Sequence, residues 1–320
     1  MSKATITGYT LRLRKKGTKD EYKKLMQFSG NNNLYDILYD FLNNGIGESN
    51  IKSVGDKKTI FYDELNKINS NCINFIAKIG RYGEAYKLFN YVTKKLTYKR
   101  GKDDTDAFPL QFTIYIPDIN DEYSGIGILI SEKYKNKSAK GLFETNFKEY
   151  FSKNFKDYII DIDPIIPEEF LAFFDRGFIS KTTIKSHSIP NDIADSYTSG
   201  EDSKNKAYIE LTIKNKDLKK HIKSFIFDKL KNKKHIDISK LFTGYLITPE
   251  EVSFSGTLDG KQTTIILKDE EEMMVPSIDI TKRVDSSLDE DGFPNKTLIK
   301  NIEIEYLNYF KKIYKDSIND

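Results

Sequence analysis

Residues 110–130 read LQFTIYIPDINDEYSGIGILI, and this stretch decides the fold class. Two apolar, β-branched and aromatic runs, 110–116 and 125–130, flank the turn-rich Pro117-Asp118-Ile119-Asn120-Asp121. Pro, Asp and Asn favour turns, while the flanking residues fit a pleated, half-buried surface. The pattern predicts an antiparallel hairpin with a longish loop. A second hairpin signal is Leu258-Asp259-Gly260-Lys261, between strands expected at 252–257 and 262–267. Its Asp-Gly pair suits the positive φ of a two-residue turn.

Working outward, residues 4–14 alternate as a strand, with Ile6, Gly8, Thr10, Arg12 and Arg14 on one face and Tyr9, Leu11 and Leu13 on the other. Further strands are expected at 59–62, 73–79, 85–92, 158–163, 178–185 and 207–213, with Arg81-Tyr82-Gly83 as a turn after the second. Asn33 caps a helix carrying Leu34, Ile37, Leu38, Phe41 and Leu42, which Gly45 ends. Ser138 is read as the N-cap of a helix to about 155 that buries Phe143, Phe147, Tyr150 and Phe151. A short helix from Glu168 ends at Gly177, and another spans 217–231. A terminal helix over 298–314 aligns Leu298, Ile302, Tyr306, Phe310 and Ile313. Hairpins with few strand–helix–strand alternations predict a mixed α+β fold, mainly antiparallel sheets with packed helices. Two subdomains are expected, 1–195 and 207–320, joined by the polar stretch 196–206.

Composition narrows the class. The chain has 320 residues, 20 Tyr and 21 Phe, which is ample buriable surface and excludes a disordered chain. The lack of Trp and the dominance of Lys over Arg reflect an AT-rich coding bias, so lysine abundance alone carries no functional meaning. The single cysteine, Cys72, excludes an intramolecular disulfide and a cysteine-rich zinc site. Its apolar neighbours make it a buried small hydrophobe rather than a nucleophile. No apolar run is long enough to span a bilayer, and residues 1–14 lack a signal-peptide core. A cytoplasmic protein with no membrane partner is expected.

The net charge of +3 is unevenly placed. Residues 214–235 carry nine Lys against Asp217 and Asp228, a local +7. Leu218, Ile222, Phe225, Ile226 and Leu230 form the apolar stripe, and Lys216, Lys219, Lys220, Lys223, Lys231, Lys233 and Lys234 mostly fall away from it. Arg12 and Arg14 open a second basic stretch, 12–24. Clustered cations of this kind suit a phosphate backbone, DNA or RNA, with a solvated helix face as the plain alternative. An acidic stretch at 268–291, net −6, could dock on the basic helix within one molecule or between copies. Tyr82, Tyr86, Tyr91 and Tyr98 lie near Lys94, Lys95, Lys99 and Arg100, where a stacking platform would fit. In a chain so rich in aromatics, however, they are assigned to the core.

Catalytic signals are sparse. His187, His221 and His235 have no metal-ligand spacing, and no phosphate loop, serine elbow, Cys/His pair or Arg-x4-His pattern is present. Asp161 and Asp163 alternate on one strand and so share a face, with Glu168 and Glu169 just beyond. Such carboxylates could hold Mg²⁺ against a phosphate in a nuclease or toxin, although the lysine of the common nuclease pattern is missing. Otherwise no metal or cofactor is expected.

The order Ser138-Ala139-Lys140-Gly141-Leu142-Phe143, Tyr158, Asp163-Pro164, Pro167-Glu168, Gly177 and 189–194 (IPNDIA) resembles a family of uncharacterised bacterial proteins of similar length from mobile-element and phage-defence islands. The likeness covers about a third of the chain. It implies a context, phage defence or mobile-element biology in a bacterium, and no catalytic residues. The combined expectation is a non-catalytic or accessory nucleic-acid-binding defence component. The alternatives are the Mg²⁺ nuclease and a homo-oligomer or defence-operon partner protein held by the opposed charges.

Overall fold

The computed structural model describes residues 4–18, 21–55, 57–135, 137–186, 209–214, 217–231, 251–270, 273–284, 287–289 and 291–316. In chain order these form β1 (Ala4–Lys15), α1 (Leu34–Asn43), β2 (Lys52–Ser53), β3 (Lys58–Asn69) and β4 (Cys72–Arg81). There follow β5 (Tyr86–Phe89), β6 (Leu96–Arg100), β7 (Phe108–Tyr115), β8 (Ile126–Tyr134), β9 (Lys137–Ser138), α2 (Lys140–Asn154) and β10 (Tyr158–Pro164). The remainder is α3 (Glu168–Asp175), β11 (Phe178–Ser186), β12 (Ile209–Lys214), α4 (Lys220–Lys231), β13 (Glu251–Leu258), β14 (Lys261–Glu270), β15 (Met273–Pro276), α5 (Thr281–Val284) and α6 (Lys296–Asp316). The fold is mixed α+β with antiparallel sheets, as the hairpin signals imply. Among the described residues no helix is long and apolar enough to cross a membrane.

Two compact units divide the chain: Met1–Asp163 with Asp279–Lys315, and Pro164–Ile278 with Asp316–Asp320. This corrects the expected split into 1–195 and 207–320. The break falls where Pro164 ends β10, since proline supplies no ladder N–H. The terminal helix returns to the first unit. Residues 196–206, read as a linker, lie outside the described residues.

The larger sheet runs β10-β1-β8-β7-β4-β3-β2. The decisive hairpin is present, pairing Phe112 with Ser131 through Tyr115 with Ile128. β1 joins its open edge, pairing Ala4 with Tyr134 through Arg12 with Ile126. Directly paired residues point to the same side. One face therefore carries Tyr9, Phe75 and Phe112, and the other Gly8, Asn74, Gln111, Thr113 and Glu132. Phe75 stacks on Phe112 at 5.1 Å, and Phe143 of α2 lies 5.6 Å from both rings. Phe41 of α1 closes on Phe147 at 5.1 Å. Asn33 caps α1 as expected, accepting the Tyr35 N–H at 2.8 Å. Ser138 is not the cap of α2; it lies in β9, and Ala139 holds that position. Cys72 is buried, and burial pushes its thiol up to about 11, consistent with a packing role.

α6 packs on the opposite face, where the Phe310 ring stands 2.6 Å from the place a Gly8 Cβ would occupy. A side chain at Gly8 would displace the helix. The buried stripe of α6 is Ile299, Ile302, Glu303, Leu307 and Phe310, rotated from the apolar spacing of Leu298 and Tyr306. Polar contacts set that rotation. Lys296, two helical turns before Glu303, donates to both carboxylate oxygens of Glu132 at 3.0 and 2.8 Å. The Thr113 hydroxyl donates to Glu303 Oε2 at 2.6 Å and accepts from Asn74 at 2.9 Å. Gln111 completes the chain with Asn74 Oδ1 at 3.0 Å and, through its backbone N–H, with Glu132 at 2.8 Å. Glu303 Oε1 is buried without a partner among the described residues. Burial raises the Glu303 carboxyl well above the ordinary range, and the Glu132 charge adds to the shift.

The smaller sheet runs β12-β11-β13-β14-β15. Asp259 and Gly260 form its expected turn with φ of 49° and 78°, which only the left-handed region supplies. Phe173, Phe174, Ile226, Leu230, Val252 and Phe254 form the core beneath α3 and α4.

A prediction follows from Glu303. Its folded-state affinity for a proton exceeds that of the unfolded chain, so its favourable contribution is complete below the unfolded pKa and is lost as pH rises through the folded one. Glu303→Gln, neutral at every pH, should leave urea midpoints at acidic pH close to the parent's. It should lessen the parent's loss of stability towards alkaline pH. Parallel pH profiles for the two proteins would contradict this.

Candidate functional site

The structure brings together two sets of residues that sequence reasoning kept apart. Arg12 forms an ion pair with Asp163, and Arg14 Nε donates to Asp161 at 2.7 Å. Two expected phosphate-binding arginines are thus spent on two expected catalytic carboxylates. Strands β1 and β10 are neighbours, and alternation puts all four side chains on one side. Arg12 also lies over the Tyr22 ring at 4.4 Å, and Arg14 donates to the Thr18 carbonyl at 3.0 Å. Among the described residues no group of three His, Cys, Asp or Glu side chains is placed to hold a metal ion. Glu168 opens α3, in the other unit. The two arginines meet these aspartates.

The basic helix also changes in content. Lys219, Lys220 and Lys231 are exposed, whereas Lys223 is buried. Its ammonium donates to the Gly177 carbonyl at 2.7 Å and to Asp217 Oδ2 at 2.8 Å. Asp217 in turn accepts the Ile179 and Leu218 N–H groups at 2.8 Å each. Against the desolvation that would raise it, these partners pull the Asp217 carboxyl below its usual range. Lys223 therefore ties α4 to the start of β11, which removes it from the phosphate-binding set. Lys216, Lys233, Lys234, His187 and His235 lie outside the described residues. So do Glu271, Glu272, Asp285 and Glu290 of the acidic stretch, while Asp289 is used in a turn, accepting from Asp291 and Phe293.

Among the described residues, the most exposed large apolar side chains lie elsewhere, in the connection between β4 and β7. These strands are antiparallel neighbours, pairing Ile79 with Phe108, and a short turn would join them. Instead residues 82–107 leave the sheet and form β5 and β6, a separate two-stranded ribbon. The sequence places the tyrosines of this segment in the core, whereas Tyr86, Tyr91 and Tyr98 are exposed. The strand expected at 85–92 is present as β5 and pairs with β6. Tyr86, Leu88, Phe89, Leu96 and Tyr98 are exposed, and Tyr91 and Val92 at the tip are 82% and 85% exposed.

The ribbon has two distinct sides. Pairing sets Tyr86 against Arg100 and Leu88 against Tyr98 on one, and Lys87 against Lys99 on the other. Phe89, alternate to Leu88, joins the lysine side. Like charges directly opposite one another destabilise a ribbon. Residues 86–100 contain five cations and no acid, so the ribbon itself supplies nothing to relieve them. At the tip Asn90 Oδ1 accepts the Val92 and Thr93 N–H groups at 3.0 and 2.8 Å, which fixes the turn. Lys94, in the left-handed region at φ 58°, places its ammonium 4.0 Å from the centre of the Tyr91 ring.

The foot of the ribbon is anchored by Arg100, which is 9% exposed. Its guanidinium donates to the Arg81 carbonyl, to the Asp104 carbonyl at 3.1 and 3.2 Å and to the Tyr86 hydroxyl at 2.5 Å. The Tyr98 hydroxyl donates to Asp104 Oδ2 at 2.6 Å, a bond that, with the Gly101 N–H, holds this carboxyl below its usual range. Gly80 permits the return segment to cross β4, because the Asp106 carbonyl lies 1.9 Å from where a Cβ would stand. A cleft of about 420 Å³ opens at this foot between Lys57, Lys58, Arg81, Tyr82, Glu84, Tyr86, Arg100 and Asp106.

Compared with protein-family models and with curated proteins, the chain matches none. The site therefore rests on its own geometry.

The two kinds of lysine on α4 should separate in stability measurements. Lys223→Glu removes a buried ammonium from the Gly177 carbonyl and from the half-exposed Asp217, and should cost about 1–3 kcal/mol in urea denaturation. Lys219→Glu and Lys220→Glu, on exposed positions, should stay within about 0.5 kcal/mol. Equal small effects at all three would show that Lys223 is not an anchor.

Proposed function

We propose that the protein binds single-stranded nucleic acid, with the β5–β6 ribbon as the main contact. The observation that carries this is the opposed Lys87–Lys99 pair with exposed Phe89 on its side, beside the open Tyr91 ring at the tip, on a ribbon without acids. A polyanion relieves the charge repulsion, and bases stack on tyrosine and phenylalanine regardless of sequence. The position of the ribbon supports the same reading. It is an excursion that the sheet does not need, and surface connections on a rigid scaffold commonly carry function. Lys219, Lys220 and Lys231 of α4 supply further exposed positive charge in the other unit.

This reading moves the expected nucleic-acid surface from Arg12, Arg14 and Lys223 to the ribbon. It needs no cofactor and no catalytic step. An accessory role in bacterial anti-phage defence is part of the proposal only through the resemblance noted in the sequence. Leu88, Val92 and Leu96 do not stack on bases, so a protein partner or a second copy of the chain would be the occupant if nucleic acid fails to bind.

The test is fluorescence anisotropy with labelled single-stranded and duplex DNA and RNA across a salt series. Tyr91→Ala should weaken single-strand binding by about 1–3 kcal/mol. Lys94→Glu with Lys95→Glu should lower the log–log salt slope by roughly one to two. No binding at low salt, together with salt-independent self-association in light scattering, would replace this reading with the protein-partner one.

A further inference from the structure

The cleft at the foot of the ribbon contains more positive charge than its own anchoring uses. Asp106 is already occupied: it accepts the Arg81 backbone N–H at 2.7 Å and lies 3.5 Å from both Arg100 and Lys137. Against desolvation, these groups hold its carboxyl below the usual range. Arg100 is spent on backbone carbonyls and Tyr86. Lys57, Lys58 and the Arg81 side chain form no ion pair among the described residues, with Glu84 as the one lining acid left to oppose them.

Lys58 and Arg81 stand directly opposite each other on β3 and β4, and the backbone holds Lys57 beside them. Lys57 sits in the left-handed region at φ 53°, and its carbonyl accepts the Tyr82 N–H at 3.1 Å. Its stem rests on Gly83, with Cδ 2.9 Å from the place a Cβ would take. Tyr82 is held by Ser53 across 3.1 Å, and Tyr86 by Arg100, whose guanidinium lies 5.0 Å from the ring centre. Two positioned phenol rings and three uncommitted cations thus surround a space within the usual range for small ligands.

We propose that this cleft binds the phosphomonoester of a nucleotide, presented by the end of a strand lying along the ribbon; the strand as its source rests on the function proposed above. A terminal phosphate carries close to two negative charges, an internal diester one, so three cations lining one cleft favour the end. Tyr82 and Tyr86 take the attached base or ribose.

The experiment is competition anisotropy with equal-length oligothymidylates carrying a 5′-phosphate, a 3′-phosphate or hydroxyl ends, with adenosine 5′-monophosphate and inorganic phosphate as free probes. The proteins are the parent, the Lys57→Ala/Arg81→Ala variant and the Tyr91→Ala/Lys94→Glu/Lys95→Glu variant, each checked for folding by circular dichroism. One phosphorylated end should bind the parent at least about tenfold tighter than the hydroxyl end. The cleft variant should lose that preference and keep hydroxyl-end affinity within roughly threefold. If the oligomers fail but the free monophosphate binds the parent and not the cleft variant, the nucleotide site stands and the ribbon reading falls. If hydroxyl and phosphate ends bind equally and neither free probe competes, the cleft proposal is overturned, whatever the ribbon does.

Discussion

The ribbon depends on one buried guanidinium. Arg100 has five N–H donors, and burial requires that acceptors meet them. Those acceptors come from the end of β4 (Arg81), the first residue of β5 (Tyr86) and the return segment (Asp104). One side chain therefore joins three pieces of chain at the point where the ribbon leaves the sheet. An isolated two-stranded ribbon is marginal in water. Fastened at its foot, this one can leave Tyr91, Val92 and Phe89 in solvent without needing a core of its own.

Much of the fold was legible because local chemistry and tertiary demand agree. The 110–130 hairpin, the Asp259-Gly260 turn and the Asn33 cap each appear where turn and capping chemistry put them. The terminal helix was legible in extent but not in rotation. Apolar spacing favoured Leu298 and Tyr306, whereas a buried Glu303 and the Lys296–Glu132 pair turn the helix to another side. Periodicity weighs apolar residues, and it assigns a glutamate to solvent unless its partner across the sheet is known.

The site was hidden for a related reason. Arg12, Arg14, Asp161 and Asp163 each looked available in one dimension, and only strand neighbourhood shows that they cancel in pairs. Lys223 looked like its neighbours on α4, yet its position lies over Asp217 and Gly177. The ribbon failed in the opposite direction. In a chain so rich in aromatics, Tyr82, Tyr86, Tyr91 and Tyr98 read as core residues. The available signal was 86–100 itself, which combines five cations, no acid and aromatic residues with a sequence position between two strands that pair directly. A buried ribbon could not tolerate that uncompensated charge.

The chain contains no Trp, so Tyr91→Trp would place a single indole at the tip of the ribbon. Titrating this variant with single-stranded DNA at low salt while reading its fluorescence is the most direct test of the central claim. The account predicts saturable quenching that reverses as salt is raised, because the ring stacks on bases held by the neighbouring lysines. Unchanged emission while the same DNA binds elsewhere on the protein would contradict it.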